Sequence, residues 1–137
     1  MTFLRYQGQI DWEAVRKSGR RFAFIKATEG TTWVDPRLSA NGRGADRAGL
    51  AVGYYHFFRA ADPKTALEEA EAFWRAIRGL PFVLPPALDL EVVPSGTSPQ
   101  ALSRAVLAGL QAIEPRIEAR PLLYSSLYFL QNRLEGR

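Results

Sequence analysis

The chain has 137 residues, the length of one ordinary domain, and 47% of them are hydrophobic, which is enough for a packed core. It contains no Cys, so disulfides, thiolate metal sites and Cys nucleophiles are excluded. The net charge is +4, with Lys and Arg together supplying 18 basic residues. A basic surface favours polyanions such as nucleic acid or an anionic cell wall. Because the basic residues are scattered and no nucleic-acid recognition motif accompanies them, we expect no nucleic-acid partner.

The N-terminal residues show no targeting signal. Residues 1–8 (MTFLRYQG) lack the apolar core of a signal peptide. No apolar stretch of the chain approaches the roughly 20 residues of a membrane span. We therefore expect neither a signal peptide nor a membrane span in this chain.

The elements predicted along the chain alternate between helix and strand. After a poor first strand near residues 2–6, a short helix is predicted over residues 12–18, with Asp11 as its N-cap and Gly19 as its stop. Apolar runs without strict polar alternation follow at 22–28 (FAFIKAT), 50–58 (LAVGYYHFF), 86–91 (PALDLE) and 120–125 (RPLLYS). Such runs are typical of strands covered on both faces, as in parallel sheets.

Helix starts are predicted between these runs. Asp35-Pro36, Asp62-Pro63 and Ser98-Pro99 each pair an N-cap residue with Pro at the first helical position. The strand centres lie roughly 30–35 residues apart, which is the repeat of a βαβ unit. The pattern predicts an α/β fold, either an open sheet or a barrel. No GxGxxG or GxxxxGK[ST] motif follows a run, which disfavours dinucleotide and P-loop sites.

The strongest candidate for chemistry is the acidic pair Asp89 and Glu91 at the end of the 86–91 run. Side chains two apart on a strand point to the same face, with Cα atoms ~6.6 Å apart. This spacing is compatible with the ~5–5.5 Å between carboxyl groups in retaining glycosidases. Two close carboxylates also favour keeping one of them protonated as a general acid near neutral pH. The alternative is that both acids merely end a strand and cap the next loop.

Other polar and aromatic residues fall at the ends of predicted strands. Lys26 lies inside an apolar run and needs a partner, for which Glu29 is the candidate, as an ion pair or in positioning a substrate. Tyr55 and His56 lie toward the end of the 50–58 run, which is the third predicted strand, and His56 is the only His of the chain. Packing or hydrogen bonding is the favoured role of His56, since no GxSxG elbow accompanies it. Tyr124 is interpreted either as a stacking platform for a sugar or as a core residue.

A set of sequence blocks in a fixed order resembles glycoside hydrolase family 25, and the resemblance covers nearly the whole chain. The blocks are YQG at 6–8, IDW at 10–12, FIKATEG at 24–30 followed by DP at 35–36, AGL at 48–50 with Gly53, YHFF at 55–58, PPALDLE at 85–91 and LYS at 123–125. Several motifs in the family's order are far more specific than an isolated Asp-x-Glu.

The resemblance implies a TIM-like (β/α) barrel and a muramidase (lysozyme) activity. Such an enzyme hydrolyses the β-1,4 bond between N-acetylmuramic acid and N-acetylglucosamine in peptidoglycan. Glu91 matches the proton donor to the leaving oxygen, and Asp89 matches the acid that orients the N-acetyl group or stabilises the oxocarbenium-like state. The candidate substrate-binding residues are Lys26, Glu29, Tyr55, His56 and Tyr124. No metal or cofactor is implied, and the expected place of action is the bacterial cell wall.

Two departures from the family pattern carry expectations of their own. Family members have an active-site Asp four residues before the Tyr of YQG, where this sequence has Thr2. Their barrel also continues beyond the fifth strand, so residues 1–137 are expected to form a single partial domain that stops after about five strands. Five strands cannot close an eight-stranded barrel. They would leave an uncovered sheet edge available for self-association.

Alternative functions remain open from the sequence. A wall-binding remnant without turnover is favoured by the missing Asp and the short chain. A chitinase-like glycosidase also places Asp-x-Glu on its catalytic strand, although the YQG, IKATEG and YHFF blocks argue against it.

Overall fold

The computed structural model of the chain describes residues 3–4 and 9–134. The strands described are β1 (Phe3–Leu4), β2 (Phe22–Glu29), β3 (Trp33–Val34), β4 (Ala51–Phe57), β5 (Ala87–Asp89) and β6 (Leu122–Tyr124). The helices described are α1 (Trp12–Lys17), α2 (Leu38–Arg47), α3 (Pro63–Ile77), α4 (Pro99–Ile117) and α5 (Leu127–Asn132). The four apolar runs of the sequence correspond to β2, β4, β5 and β6, with β2 extending one residue further to Glu29. The Tyr6-Gln7-Gly8 block and Thr2 lie outside the described residues.

The strands form one sheet in the order β1-β2-β4-β5-β6, and each of these neighbours pairs in parallel. Strand β3 is the exception, since it pairs antiparallel with the end of β2. The α/β prediction is therefore confirmed. The parallel strands follow one another across the sheet in chain order, which is the strand arrangement of a (β/α) barrel. Strands β1 and β6 lie at the two ends of the described sheet. Closure into a barrel stays a prediction.

The start signals of three helices act as the sequence predicts. The side chains of Asp11, Asp62 and Ser98 each accept a backbone N–H of the first helical turn, at 3.0, 2.8 and 3.1 Å. These bonds satisfy donors that a helix leaves without an internal partner. Gly19 ends the first helix region with φ of +98°, a conformation in which Gly meets little strain.

The prediction that a helix starts at Asp35-Pro36 is wrong by two residues. Helix α2 begins at Leu38, and its N-cap residue, Arg37, makes no side-chain capping bond. Asp35 is held elsewhere, because its backbone N–H donates to Ala27 of β2 at 2.9 Å. Its carboxylate accepts the N–H of Arg37 at 2.8 Å, which makes a turn before the helix. The unpredicted strand β3 thus ties Asp35 to the sheet and delays the helix by two residues.

The main core lies between the sheet and the helices. Alternate residues of the strands, such as Ile25, Tyr54 and Leu88, pack there against Phe73 of α3 and Leu102 of α4. The opposite face of the sheet carries a smaller apolar cluster of Phe24, Tyr55 and Ala87 with Phe22 and Leu84. This second face, here called the inner face, leads to the ends of the strands where the candidate site lies. Within the described residues, no helix combines the length and apolar character that crossing a membrane requires.

Candidate active site at the strand ends

Residues at one edge of the sheet, where the parallel strands have their carboxyl ends and β3 begins, form a continuous row. Trp33 of β3 is in register with Glu29 of β2, Glu29 with Phe57 of β4, Phe57 with Asp89 of β5, and Asp89 with Tyr124 of β6. Registered neighbours in a sheet share a face. Because parallel sheets open their ligand crevices at the carboxyl ends of the strands, this row is the candidate active site.

Asp89 and Glu91 differ in their exposure at this edge. Asp89 is only 1% exposed and ends β5, while Leu90 turns to the helix-side core and Glu91 is exposed. The backbone between the two acids is fixed, since Leu90 donates to Tyr124 at 2.9 Å and its carbonyl accepts the hydroxyl of Ser125 at 2.5 Å. The structure therefore brings both acids to the same end of the sheet. One carboxyl group is sheltered from water and the other faces the solvent.

A β-bulge places Lys26 and Glu29 on one face. Three residues apart on a regular strand, they would point to opposite faces. The register between β2 and β4 shifts between Lys26 and Thr28, however, and the extra residue reverses the alternation. The Lys26 ammonium, 1% exposed as a residue, donates to Glu29 at 2.7 Å. The predicted partner of Lys26 is thus the one that the structure shows.

Glu29 has a second cationic partner that the sequence analysis missed. The Nε of Arg59, just beyond β4, donates to the other carboxylate oxygen of Glu29 at 2.6 Å. Burial raises the pKa of the Glu29 carboxyl, but the hydrogen bonds and charges of Lys26 and Arg59 outweigh this and hold the pKa below its ordinary value. Glu29 is therefore a fixed carboxylate, an acceptor of hydrogen bonds rather than a proton donor.

Tyr55 and His56, predicted together as substrate contacts, lie on opposite faces of β4. Tyr55 is buried in the inner-face cluster. It is in register with Ala87, which precedes Asp89 by two residues on β5. His56 points to the helices, where its Nδ1 meets the hydroxyl of Thr28 at 2.7 Å and its Nε2 meets Glu69 at 2.6 Å. The structure thus brings Tyr55, but not His56, to the face of Asp89.

Two open pockets flank the centre of the row. The Tyr124 pocket, about 380 Å³, is lined by Glu91, Tyr124, Ser126 and Phe129. Tyr124 is 45% exposed there, as its predicted contact with a sugar would require. The Trp33 pocket, about 360 Å³, is lined by Glu29, Arg59, Trp33 and the turn residues 30–32. Asp89 and Phe57 lie between the two pockets in the register of the sheet.

The part of the site that sequence reasoning missed is the hairpin of β2 and β3. Gly30 follows the apolar run, and two Thr, a Trp and a Val come next. A Gly turn followed by β-branched and aromatic residues is a hairpin signal. The Asp-Pro pair at 35–36 instead matches the pattern of a helix start, and this pattern hides the hairpin signal. Among the described residues, no group of three or more His, Asp and Glu side chains is arranged to hold a metal ion.

Comparisons with known proteins point to one family. Residues 3–137 match the sequence profile described as Glycosyl hydrolases family 25. Lysozyme M1 of Streptomyces globisporus is 42% identical over 103 residues, which cover 72% of this chain and 34% of that protein. This chain therefore spans about a third of that relative's length.

Solved structures of the same kind share the fold. The family GH25 lysozyme from Aspergillus fumigatus superposes with a TM-score of 0.85 at 28% identity, covering 96% of this chain and 66% of that one. The modular Cpl-1 endolysin, crystallised with a peptidoglycan analogue, superposes with a TM-score of 0.80 at 27% identity. That match covers 97% of this chain and 38% of the endolysin.

Proposed function

Because this chain belongs to family 25 of the glycosyl hydrolases, we propose that it is a muramidase that cleaves peptidoglycan between N-acetylmuramic acid and N-acetylglucosamine. Glu91 is the general acid in this proposal, and Asp89 is the assisting carboxylate. The observation that carries it is the placement of a buried Asp89 and an exposed Glu91 at one carboxyl edge of a parallel sheet.

The two acids suit different steps of glycoside hydrolysis. Glu91 borders the Tyr124 pocket, so it is accessible to a glycosidic oxygen and can donate its proton as the bond breaks. Asp89 lies where little water screens its charge, and a carboxylate there stabilises positive charge on the sugar ring or orients the N-acetyl group. Tyr124 offers an aromatic face to a sugar next to Glu91.

The remaining predicted contacts divide by face. Lys26, Glu29 and Tyr55 lie on the face of Asp89, and we assign them to positioning the glycan or the residues that touch it. His56 lies on the other face, and we assign it to holding β2, β4 and α3 together rather than to substrate contact.

The relatives support the choice of substrate. The Streptomyces relative is named a lysozyme, and the Cpl-1 endolysin was crystallised with a peptidoglycan analogue. We extend the same polymer to this chain as its substrate and the bacterial cell wall as its place of action. Residues 1–137 act in this proposal as one partial catalytic domain, with no nucleic-acid partner. The exposed strand β6 at the end of the described sheet is the candidate edge for self-association, which light scattering tests.

The decisive experiment is digestion of purified peptidoglycan by the wild-type chain and by Glu91→Gln. We expect wild type to release new muramic acid reducing ends and the variant to lose at least about 100-fold of that rate, as is typical when general acid catalysis is removed. Glu114→Gln is the matched control, because Glu114 is exposed near the C-terminal end of α4, which leads into the amino end of β6 and not to the carboxyl edge of the sheet.

The alternatives predict other outcomes of the same experiment. Binding to peptidoglycan without new reducing ends selects a wall-binding protein over an enzyme. Full activity of Glu91→Gln contradicts the role of Glu91 while leaving the muramidase proposal standing. The chitinase-like alternative is not proposed, because the family match is to family 25.

A further inference from the structure

The hairpin that follows β2 presents an indole ring at the edge of the site. Glu29 and Trp33 are paired across the hairpin, and Gly30 begins its turn with φ of +61°, which suits Gly. The backbone N–H of Gly30 donates to Phe57 of β4 at 3.2 Å, which ties the turn to the sheet. Trp33 therefore stands on a braced element rather than on a free loop.

The Trp33 ring is packed by a cation and is partly exposed to solvent. The Lys26 ammonium lies over the ring, 4.8 Å from its centroid. Lys26 is buried, so this contact covers the side of the ring that faces the sheet. Trp33 is nevertheless 36% exposed, among the large hydrophobic residues that meet solvent. An exposed indole beside a pocket is not explained by core packing.

The Trp33 pocket also carries fixed polar groups. Glu29 is held between Lys26 and Arg59 by the 2.7 and 2.6 Å contacts, and Arg59 itself is half-exposed. A carboxylate and a guanidinium that are already oriented can bind hydroxyl and amide groups without the entropic cost of ordering them. An apolar platform with oriented polar groups at its rim is the usual design of a carbohydrate site.

The Trp33 pocket lies more than one sugar ring away from Asp89. Along the registered row, Trp33 and Asp89 are separated by three strand spacings, through Glu29 and Phe57, or roughly 14 Å. This distance is longer than one sugar ring. The Tyr124 pocket lies on the other side of Asp89. A glycan strand that crosses the strand ends would therefore fill one pocket on each side of the acids.

We propose that the Trp33 pocket is a distal sugar subsite, in which an N-acetylhexosamine ring of the glycan stacks on Trp33 while Glu29 and Arg59 bind its polar groups. This inference rests on the proposed muramidase function and adds to it a preference for long glycan strands. The subsite acts on a ring that is not itself cleaved, so it contributes binding energy from a remote part of the substrate.

Cleavage of glycan fragments of increasing length by wild type, Trp33→Ala and Val34→Ala tests the proposal. Val34 is the matched control, because it is exposed on the same two-residue strand and points to the other face. We expect Trp33→Ala to lose about tenfold in kcat/KM on long strands, the size of one aromatic stacking contact, and little on the shortest cleavable fragment. Equal losses at every length, or none, would overturn the subsite.

Binding without turnover gives a second readout that does not depend on activity. In the Glu91→Gln background, titration calorimetry with a long peptidoglycan glycan fragment should show about tenfold weaker binding when Trp33→Ala is added, and no change when Val34→Ala is added. Equal affinity of all three proteins would overturn the subsite even if wild type proves to be a muramidase. An inactive wild type that still shows the Trp33-dependent binding would contradict the proposed hydrolysis and retain the subsite.

Discussion

Two polar clusters join β2 to the chain around the end of β4, and they differ in their access to solvent. The open cluster consists of Lys26, Glu29 and Arg59 on the inner face, and the sealed cluster consists of Thr28, His56 and Glu69 beneath helix α3. The open cluster borders the Trp33 pocket, and Arg59 is 51% exposed. Each residue of the sealed cluster is 2% exposed or less.

Arg59 connects the two clusters through different groups. Its backbone N–H donates to Glu69 at 3.0 Å, while its side chain donates to Glu29 at 2.6 Å. The sealed cluster thus fixes where the backbone passes, and the open cluster uses the side chain that this backbone presents. We therefore propose that the sealed cluster contributes mainly to stability and the open cluster mainly to ligand binding.

Removing Glu69 should give the largest loss of stability. In Glu69→Ala, the ring of His56 and the N–H of Arg59 both lose a buried acceptor, and a cavity forms under α3 beside Phe73. We expect the free energy of unfolding to fall by about 3 kcal/mol, measured by urea denaturation. Glu68→Ala is the control, because Glu68 is exposed on the same helix and its loss should cost less than about 0.5 kcal/mol. Equal losses in the two variants would contradict a stabilising role of the sealed cluster.

The sequence predicts the main ion pair of the open cluster but not the location of His56 in the sealed cluster. Lys26 and Glu29 could be paired from the sequence, because a Lys inside an apolar strand needs a nearby acid. The bulge that makes the pairing geometrically possible leaves no clear sequence signal. Tyr55 and His56 were assigned to one site although neighbours on a strand point to opposite faces. The period of two alone could have assigned His56 to the other face from Tyr55.

The partners of His56 and Glu29 illustrate what the sequence could not supply. Glu69 belongs to a helix that the Asp62 cap correctly predicted, but its rotation toward His56 depends on how α3 packs on the sheet. Arg59 is one of many Arg residues, and the register of β4 against β2 selects it as the partner of Glu29. The alternation of strands and helices, the helix starts at Asp11 and Ser98 and the acidic pair after the 86–91 run are local patterns, and they are therefore predictable.

Neutralising Glu29 should give a smaller and pH-dependent loss. The pKa of Glu29 is lowered from its ordinary value of 4.5, so the folded protein binds this proton less readily than the unfolded chain. The carboxylate therefore stabilises the fold above about pH 4.5, and this contribution is lost as the pH falls through the lowered value. Glu29→Gln should lose about 1–2 kcal/mol at neutral pH, since Lys26 is buried beside it.

Urea denaturation of wild type and Glu29→Gln at several pH values checks this expectation. The difference between the two proteins should shrink as the pH is lowered below about 4.5 toward the lowered pKa of Glu29, because the unfolded wild-type chain takes up this proton before the folded protein does. A difference that stays constant over this range would show that the charge of Glu29 is not what stabilises the open cluster. On long glycan strands the variant should also lose activity, whereas Glu69→Ala should retain its activity per folded molecule.

Truncating Arg59 should have the smallest effect on stability. It should also distinguish the two clusters, because it alters the open cluster and leaves the sealed cluster intact. Arg59→Ala keeps the backbone N–H that donates to Glu69, so the sealed cluster is preserved. Its side chain is half-exposed, and pairs of this kind contribute little, so the free energy of unfolding should change by less than about 1 kcal/mol. The pKa of Glu29 should rise toward its ordinary value, because one of the two hydrogen bonds that lower it is removed. An NMR titration of the Glu29 carboxyl measures this rise. A loss of stability as large as that of Glu69→Ala would mean that the Arg59 side chain, rather than its backbone, couples the two faces of the sheet.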